Sequence, residues 1–338
     1  ITSIFSHQET MVLNTIKLIK KHFPNKLVVS GGVNARHRIK SFFDAGIDII
    51  CTSEAEKTIV DISKVVQKGS RDFSAIPKII FKHAESIHIS KVKEDIIWDL
   101  DSLPMPAWDL LPNEKYWEIG RPHGGHFKDG EELKYVSMMT SLGCPFKCSF
   151  CHIGGELKGS LSGEIGRFRI KSDDRVMQEL EILKNMGVKQ IFIEDDSLLG
   201  KKRRAIRLIS KMKGQGFDIL DVNGVNIIHL LKNGKPDLET IELLKEAGFI
   251  EIVLPFESAN KRLIKKWASN KWDIENSDVT NLIKVCKNYG LRVAGNFMLG
   301  YPDETREEVL YTVDYAKERM SDGLDAANFF LVMPLPGT

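Results

Sequence analysis

Several features that would define a class of protein are scarce in this sequence. No apolar run approaches the roughly 18 residues that a membrane-spanning helix requires, and no secretory signal pattern opens the chain. The net charge is only +2, from 48 Lys and Arg against 46 Asp and Glu. Nucleic-acid-binding proteins concentrate basic charge, so we expect neither a membrane span nor a nucleic-acid partner.

Cysteine is also scarce and unevenly placed. The chain has five, three of them between Cys144 and Cys151, while Cys51 and Cys286 stand alone in apolar patterns. An odd number with one tight cluster does not suit a disulfide framework and predicts a reducing, cytoplasmic compartment. Cys51 and Cys286 are interpreted as small buried hydrophobic residues.

The 338 residues suit two domains. Because the chain begins at Ile1 without an initiator Met, we expect it to be a piece of a longer protein. Short apolar runs alternate with helical patterns over residues 1–91 and predict the C-terminal part of a Rossmann-like (flavodoxin-like) α/β domain. Residues 92–134 are rich in Pro and Trp and predict a linker.

A more regular alternation fills residues 135–338. Its six apolar runs predict strands, with helical patterns between them and glycines after the helices. The predicted strands are Tyr135–Met139, Gln190–Glu194, Phe217–Val222, Ile250–Leu254, Arg292–Phe297 and Ala326–Val332. This pattern predicts a partial (β/α)6 barrel of the TIM type, in which chemistry is placed at the C-terminal ends of the strands.

The cysteine cluster directly follows the first predicted barrel strand. Cys144, Cys148 and Cys151 have the spacing C-x3-C-x2-C. Thiolates suit iron–sulfur clusters, and three ligands on a [4Fe–4S] cluster leave one iron open for chemistry. The alternative is a zinc site completed by His152, although zinc ligands usually come as two separated pairs and no second pair is present.

This motif and its position resemble the radical S-adenosylmethionine (SAM) superfamily. The resemblance implies that SAM binds the open iron and that an electron from the reduced cluster cleaves SAM to a 5′-deoxyadenosyl radical. Phe150 matches the family's aromatic position near the adenine. The resemblance covers residues 135–338.

Polar residues at later strand ends match the same family. Asp195 and Asp196 occupy its acidic position, and Glu257 and Ser258 its Glu-Ser pair, although Pro and Ala replace the flanking glycines. Gly300 lies in a segment like the family's G-x-F-x-x-G-x-P-x-E-T. The resemblance implies that these five residues line the SAM site. The alternatives are helix caps at the acidic residues and Ser258, and a plain turn at Gly300.

The first domain resembles the cobalamin (B12)-binding domain found in one subgroup of this superfamily. Gly31 and Gly32, with Ser3 upstream, match the positions that accommodate the cofactor's nucleotide tail. The subgroup's cobalt-ligating His motif would lie before Ile1. The alternative is a Rossmann-like domain kept for its structure alone.

Together these patterns predict an enzyme whose cofactors are a [4Fe–4S] cluster, SAM and cobalamin. The reaction classes that the resemblance implies are methylation, cyclisation and rearrangement. The expected partners are a small-molecule or lipid-like substrate and a one-electron reductant of the flavodoxin or ferredoxin type. No side chain is singled out as a catalytic acid or base. The competing hypothesis is a non-catalytic zinc- or corrinoid-binding module.

Overall fold

A computed structural model describes residues 8–84, 86–119, 134–157, 159–269 and 271–338. The chain forms two compact units, each built from separate segments. The first comprises Ile1–Trp98, Ser149–Arg167 and Met333–Thr338, and the second comprises Asp99–Cys148 and Phe168–Val332. Compact units and domains are different divisions of a chain, so the boundaries at residues 91 and 134 stay predictions.

The first unit contains a four-stranded sheet with helices. Its elements up to residue 89 are α1 (Glu9–His22), β1 (Val29–Ser30), α2 (Val33–His37), α3 (Ile39–Asp44), β2 (Ile49–Cys51), α4 (Glu56–Gln67), β3 (Ile79–His83) and β4 (Ser86–Ile89). β1 and β2 are parallel, and β3 and β4 form an antiparallel hairpin. The two parallel strands agree with the Rossmann-like pattern.

Strand β2 separates two hydrophobic cores in this unit. Ile50 packs with Ile16 and Phe42 on one face, whereas Ile49 and Cys51 belong to the cluster on the other face. Successive side chains of a strand point to opposite faces, so a three-residue strand fills both cores. Burial raises the pKa of Cys51 to about 11, which agrees with its predicted role as a small hydrophobic residue.

The remaining elements begin with a short helix inside the predicted linker. They are α5 (Asn113–Ile119), β5 (Tyr135–Met138), β6 (Ser141–Leu142), α6 (His152–Gly155), β7 (Arg169–Ile170), α7 (Asp173–Asn185), β8 (Gln190–Ile193), α8 (Lys202–Met212), β9 (Asp218–Asp221), β10 (Leu231–Lys232), β11 (Lys235–Pro236), α9 (Leu238–Glu246), β12 (Phe249–Glu257), α10 (Lys261–Trp267), α11 (Val279–Asn288), β13 (Arg292–Leu299), α12 (Arg306–Asp322) and β14 (Ala326–Leu331).

Six of these strands form one parallel sheet in the order β14-β13-β12-β9-β8-β5. Each strand pairs with the next long strand in sequence, and a helix follows each of the first five, as in a (β/α) barrel. The predicted α/β fold class with a six-stranded partial barrel is therefore confirmed. No helix among the described residues is long and apolar enough to span a membrane.

Local sequence signals explain where the helices begin and end. At α12, Thr305 and Glu308 form the reciprocal capping box that their spacing predicts. Gly248 ends α9 with φ +102°, and a Cβ there would lie 2.2 Å from the Phe217 carbonyl oxygen. Only glycine fits at that turn, so chain direction reverses sharply before β12.

Several predicted elements differ from the structure at their edges. The apolar pattern of Lys26–Ser30 predicts a strand, but only Val29–Ser30 forms one. The helical pattern of Arg36–Ala45 predicts one helix, but the chain is split at Arg38 into α2 and α3. Helix α1 was not predicted, although Val12 and Ile16 are spaced for one helical face. Helix α5 shows that the linker is not wholly irregular.

Candidate active site

The loop after β5 carries two of the three clustered cysteines. β6 pairs with β7 and so fixes the start of this loop. Gly143, with φ +76°, turns the chain immediately before Cys144. Cys148 is buried, whereas Cys144 is partly exposed. Cys151 belongs to the first unit, where it is also partly exposed.

Asp195 holds the beginning of the cysteine loop. Its carboxylate accepts hydrogen bonds from the Thr140 N–H at 2.6 Å, the Thr140 hydroxyl at 2.7 Å and the Ser141 hydroxyl at 2.6 Å. Asp195 is fully buried. Burial raises its pKa, while the hydrogen bonds from Ser141 and Thr140 oppose that rise. The Asp195 carboxylate is thus hydrogen-bonded within the protein, which supports a role in positioning the cysteine loop.

Asp196 contacts the same loop at Gly143, closer to Cys144. Its Oδ2 accepts a hydrogen bond from the Gly143 N–H at 2.8 Å. Burial raises the pKa of Asp196, and the neighbouring Asp195 adds to that rise. Unlike Asp195, Asp196 is only partly buried. Among the predicted acidic pair, Asp196 is therefore the one whose side chain retains access to solvent or a ligand.

Strand β12 ends in a strained, buried glutamate. Glu257 has φ +64°, a conformation that non-glycine residues seldom adopt, and the β12–β13 register shifts between Pro255 and Glu257. Its carboxylate accepts a hydrogen bond from the Lys271 ammonium. Both residues are less than a tenth exposed. Backbone strain held in place by surrounding structure commonly marks a functional position.

Lys271 interacts with both the Glu257 carboxylate and the charges of the cysteine loop. Burial lowers the pKa of Lys271, but the negative charges of Glu257, Cys148 and Cys144 outweigh burial and raise the pKa above its usual value. The lysine is therefore charged at neutral pH. A buried cation beside two cysteines favours their thiolate form, which is the form that binds metal.

Ser258 and Gly300 have different surroundings. Ser258 is fully buried, and its hydroxyl accepts a hydrogen bond from the Asn260 N–H at 3.0 Å and lies 3.3 Å from the Thr312 hydroxyl. The helix-cap alternative for Ser258 is wrong, because Asn260 caps α10 and its side chain accepts a hydrogen bond from the Arg262 N–H at 3.0 Å. Gly300 has φ +85°, is exposed, and has open space where a Cβ would lie. A ligand can therefore approach its backbone closely.

Tyr301, next to Gly300, also lies near the site. Burial raises its pKa, and the negative charges of Glu257, Glu304 and Cys148 raise it further. Its ring stacks on Trp267 at a centroid distance of 6.2 Å. The phenol stays protonated at any physiological pH, so Tyr301 presents a neutral polar group to the site.

The first unit contains the remaining predicted residues. Gly32 follows β1 with φ +99°, which requires glycine, whereas a Cβ at Gly31 would only touch Cys51 at 3.6 Å. Ser3 lies outside the described residues. Phe150 is partly buried in the segment Ser149–Arg167.

A cavity of about 470 Å³ opens at the carboxyl edge of the first sheet. It is lined by Thr52, Lys78, Ile79, Ile89, Ser90, Val92, Lys93, Glu94, Asp95, Ser160, Leu161 and Gly163. Ser53 directly follows the lining residue Thr52, and its buried hydroxyl has no hydrogen-bond partner among the described residues. Ligands of open α/β sheets bind at this edge, so the cavity is a candidate binding site.

No three His, Cys, Asp or Glu side chains among the described residues are arranged to hold a single metal ion. A four-iron cluster binds each thiolate to a different iron, so its ligands do not converge on one point. His152 begins α6, and burial lowers its pKa.

Residues 138–316 match the family described as the radical SAM superfamily. This match covers more than half of the 338 residues. The chain belongs to the radical SAM superfamily. The predicted family is thereby confirmed.

The proteins to which this chain is similar include two named as methyltransferases. The chain is 31% identical to an uncharacterized methyltransferase of Pyrococcus horikoshii over 86% of its own length and 57% of the relative's. It is 26% identical to the cytidylyl-2-hydroxyethylphosphonate methyltransferase of Streptomyces wedmorensis, over all of its own length and 64% of the relative's. The chain thus spans about three-fifths of these relatives.

Solved structures of radical SAM enzymes share the fold across both units. The methyltransferase TsrM from Kitasatospora setae, solved with cobalamin and a [4Fe–4S] cluster, matches 98% of this chain and 59% of its own, with TM-score 0.69 and 17% identity. The cobalamin-dependent enzyme OxsB, with aqua-cobalamin bound, matches 93% of this chain and 42% of its own, with TM-score 0.71 and 16% identity. Both neighbours belong to the predicted subgroup.

Two residues of this radical SAM site were missed in the sequence. Lys271 lies in a polar, charged stretch between Lys265 and Glu275, with no motif to mark it. Tyr301 directly follows Gly300, which is a predicted site residue, and that position was the available signal. The contact of Lys271 with Glu257 arises from folding, since the two residues are 14 positions apart in the sequence.

Proposed function

We propose that this chain forms the cluster-binding part of an enzyme that cleaves SAM reductively at a [4Fe–4S] cluster on Cys144, Cys148 and Cys151. When bound, the cluster and SAM supply one-electron chemistry that generates a carbon radical able to remove a substrate hydrogen. Membership in the radical SAM superfamily favours this function over a non-catalytic zinc- or corrinoid-binding module.

The surroundings of the cysteines fit such a group. The observation that carries the proposal is the buried ion pair of Lys271 with Glu257 at the end of β12, whose cation also interacts electrostatically with Cys148 and Cys144. Soft thiolate donors suit iron–sulfur clusters, and a nearby cation offsets the negative charge that thiolates bring to a buried site. The surroundings of Cys148 and Cys144 therefore fit a cluster chemically.

Residues at the ends of the barrel strands either position the cysteine loop or bind SAM. Asp195 and Asp196 hold the start of the cysteine loop through Thr140, Ser141 and Gly143. We assign Asp196, Glu257, Gly300 and Phe150 to the SAM site, with Ser258 and Asp195 supporting it from the protein interior. Hydrogen-bonded positioning residues typically matter to a metal site nearly as much as its ligands.

The test compares Cys148→Ala with Cys286→Ala after anaerobic reconstitution with iron and sulfide. Cys286 is fully buried in α11 and serves as the matched control. We expect wild type and C286A to bind iron and to form 5′-deoxyadenosine from SAM under dithionite, and C148A to lose both. Stoichiometric zinc with no cluster in the wild type, or undiminished 5′-deoxyadenosine in C148A, contradicts the proposal.

We further propose that the first unit binds cobalamin. The features that support this are the glycine turn at Gly32, the unpartnered Ser53 hydroxyl and the cavity of about 470 Å³ at the carboxyl edge of the sheet. A buried hydroxyl without a partner is costly unless a ligand or water satisfies it. The competing role is a domain retained for its structure.

Cobalamin binding is measured as corrinoid absorbance that stays with the protein through gel filtration. We expect about one corrinoid per chain in the wild type and a large loss in Ser53→Ile, which fills the strand end with a branched apolar side chain. Cobalamin that separates completely from the folded wild type contradicts this part of the proposal.

The proposed reaction is methylation of a small-molecule or lipid-like substrate, with electrons from a flavodoxin or ferredoxin. The similarity to methyltransferases supports methyl transfer over cyclisation or rearrangement. A methyltransferase converts SAM to S-adenosylhomocysteine. We therefore expect S-adenosylhomocysteine from the full protein with substrate, and its absence beside abundant 5′-deoxyadenosine favours the other two reaction classes.

A further inference from the structure

A buried ion pair in the first unit connects α2 with the segment that follows the third cysteine. Arg36 donates from Nε to Glu156 Oε1 at 2.8 Å and from Nη2 to the same oxygen. Arg36 is 5% exposed and Glu156 2% exposed. The two residues are 120 positions apart in the sequence, so this contact exists only in the folded protein.

Glu156 is fixed by further contacts within its own segment. Its second carboxylate oxygen accepts a hydrogen bond from the Ser162 hydroxyl, and Ser162 is fully buried. Its carbonyl oxygen accepts from the Gly166 N–H at 2.7 Å. A Cβ at Gly166 would lie 2.4 Å from the Ile153 carbonyl oxygen. Side chain and backbone therefore hold Glu156 in one place.

Helix α6 transmits this restraint to Cys151. The helix is one turn long, with Cys151 at its N-cap and Glu156 at its C-cap. The Glu156 N–H donates to the Ile153 carbonyl at 3.2 Å, and the Gly154 N–H to the Cys151 carbonyl at 3.1 Å. With the far end anchored, little backbone freedom remains between Glu156 and the cysteine.

We propose that Arg36 and Glu156 are positioning residues for Cys151, so that the first unit sets the position of the third cluster ligand. This inference rests on the proposed function of that cysteine. A buried ion pair is often no more stabilising than apolar residues of the same volume, whereas removing one partner strands a buried charge. What the pair provides here is a fixed, directional attachment, since the arginine fork permits few geometries.

The test measures how fast N-ethylmaleimide modifies each cysteine in the metal-free protein, by peptide mass spectrometry. The variants are Arg36→Met and Glu156→Gln. Cys51 is 3% exposed in the same unit and reports general loosening. Lys40→Met is the matched control, because it breaks an exposed ion pair with Asp44 whose partners are 87% and 62% exposed.

We expect R36M to raise the modification rate of Cys151 about tenfold or more, which corresponds to about 1.4 kcal/mol of local restraint. Cys51 is expected to keep its rate, and K40M to behave as wild type. E156Q keeps the shape of the carboxylate without its charge, so a smaller increase at Cys151 is expected. After reconstitution, iron per chain is expected to fall in the order wild type, E156Q, R36M.

Unchanged Cys151 modification and iron content in both variants overturn the positioning role. An equal rise at Cys151 and Cys51 also overturns it, because that result reports general unfolding. If R36M does not fold, as judged by far-UV circular dichroism, the E156Q rates decide. A wild type that binds no cluster refutes the proposed function instead, while the modification rates still test the attachment.

Discussion

Asp221 offers a stability test that depends on one buried carboxyl group. It ends β9 and is 1% exposed. Burial raises its pKa to about 8, with the charge of Asp195 adding to the rise and the N–H groups of Gly224 and Asn223 opposing it. The folded protein therefore retains a proton on Asp221 that the unfolded chain releases near pH 4.

The direction of the pH effect follows from this difference. Between about pH 4 and pH 8 the folded state binds more protons than the unfolded state, so the free energy of unfolding falls as pH rises through that window. A shift of about four pKa units, at about 1.4 kcal/mol each, gives an upper value of about 6 kcal/mol. Asp221→Asn is neutral at every pH and escapes this loss.

Urea unfolding followed by circular dichroism at pH 5, 6, 7 and 8 measures the effect. We expect D221N to become progressively more stable than wild type toward pH 8, by several kcal/mol. Asp218 lies exposed on the same strand, and Asp218→Asn is the control, expected to follow the wild-type curve. Parallel curves for wild type and D221N, or a D221N less stable at pH 8, refute the reasoning.

Three further substitutions test the site and the fold. Lys271→Met leaves the buried Glu257 carboxylate without its cation and is expected to lower the free energy of unfolding by about 3–5 kcal/mol. Urea unfolding measures this loss, and iron retention measures the effect on the cluster site. Wild-type values for both measurements contradict the role of Lys271 as the buried cation of the site. Asp195→Asn weakens the charged hydrogen bonds that hold the cysteine loop. We expect the free energy of unfolding to fall by about 2 kcal/mol and the iron content after reconstitution to fall as well. Wild-type iron content in this variant refutes the positioning role. Gly248→Ala places a Cβ 2.2 Å from the Phe217 carbonyl oxygen and is expected to destabilise the fold by about 2–4 kcal/mol in urea unfolding; a loss below about 0.5 kcal/mol is the contrary result.

The architecture of the second unit was predictable because its strands are short apolar runs between amphipathic helices. Parallel strands buried on both faces leave this signature in sequence. The capping box at Thr305 and Glu308 is a local pattern and was confirmed. Element ends were less predictable: β12 continues through Pro255 to Glu257, because a register shift accommodates the proline.

The site was predictable only in part. Spacing singled out the cysteines, and a position directly after a strand singled out Asp195 and Glu257. Neither pattern predicts how buried a side chain is. Burial separates Asp195, which the chain itself surrounds, from the partly buried Asp196. Contacts between distant residues, such as Arg36 with Glu156, leave no local pattern because each residue alone reads as an ordinary surface charge.

The central claim is that three thiolates hold a [4Fe–4S] cluster with an iron left open for SAM. Electron paramagnetic resonance of the dithionite-reduced, reconstituted protein tests it most directly, recorded with and without SAM. We predict a signal from a reduced [4Fe–4S] cluster whose line shape changes when SAM is added, and its loss in C148A. A protein without that signal, or a signal that SAM leaves unaltered, contradicts the account.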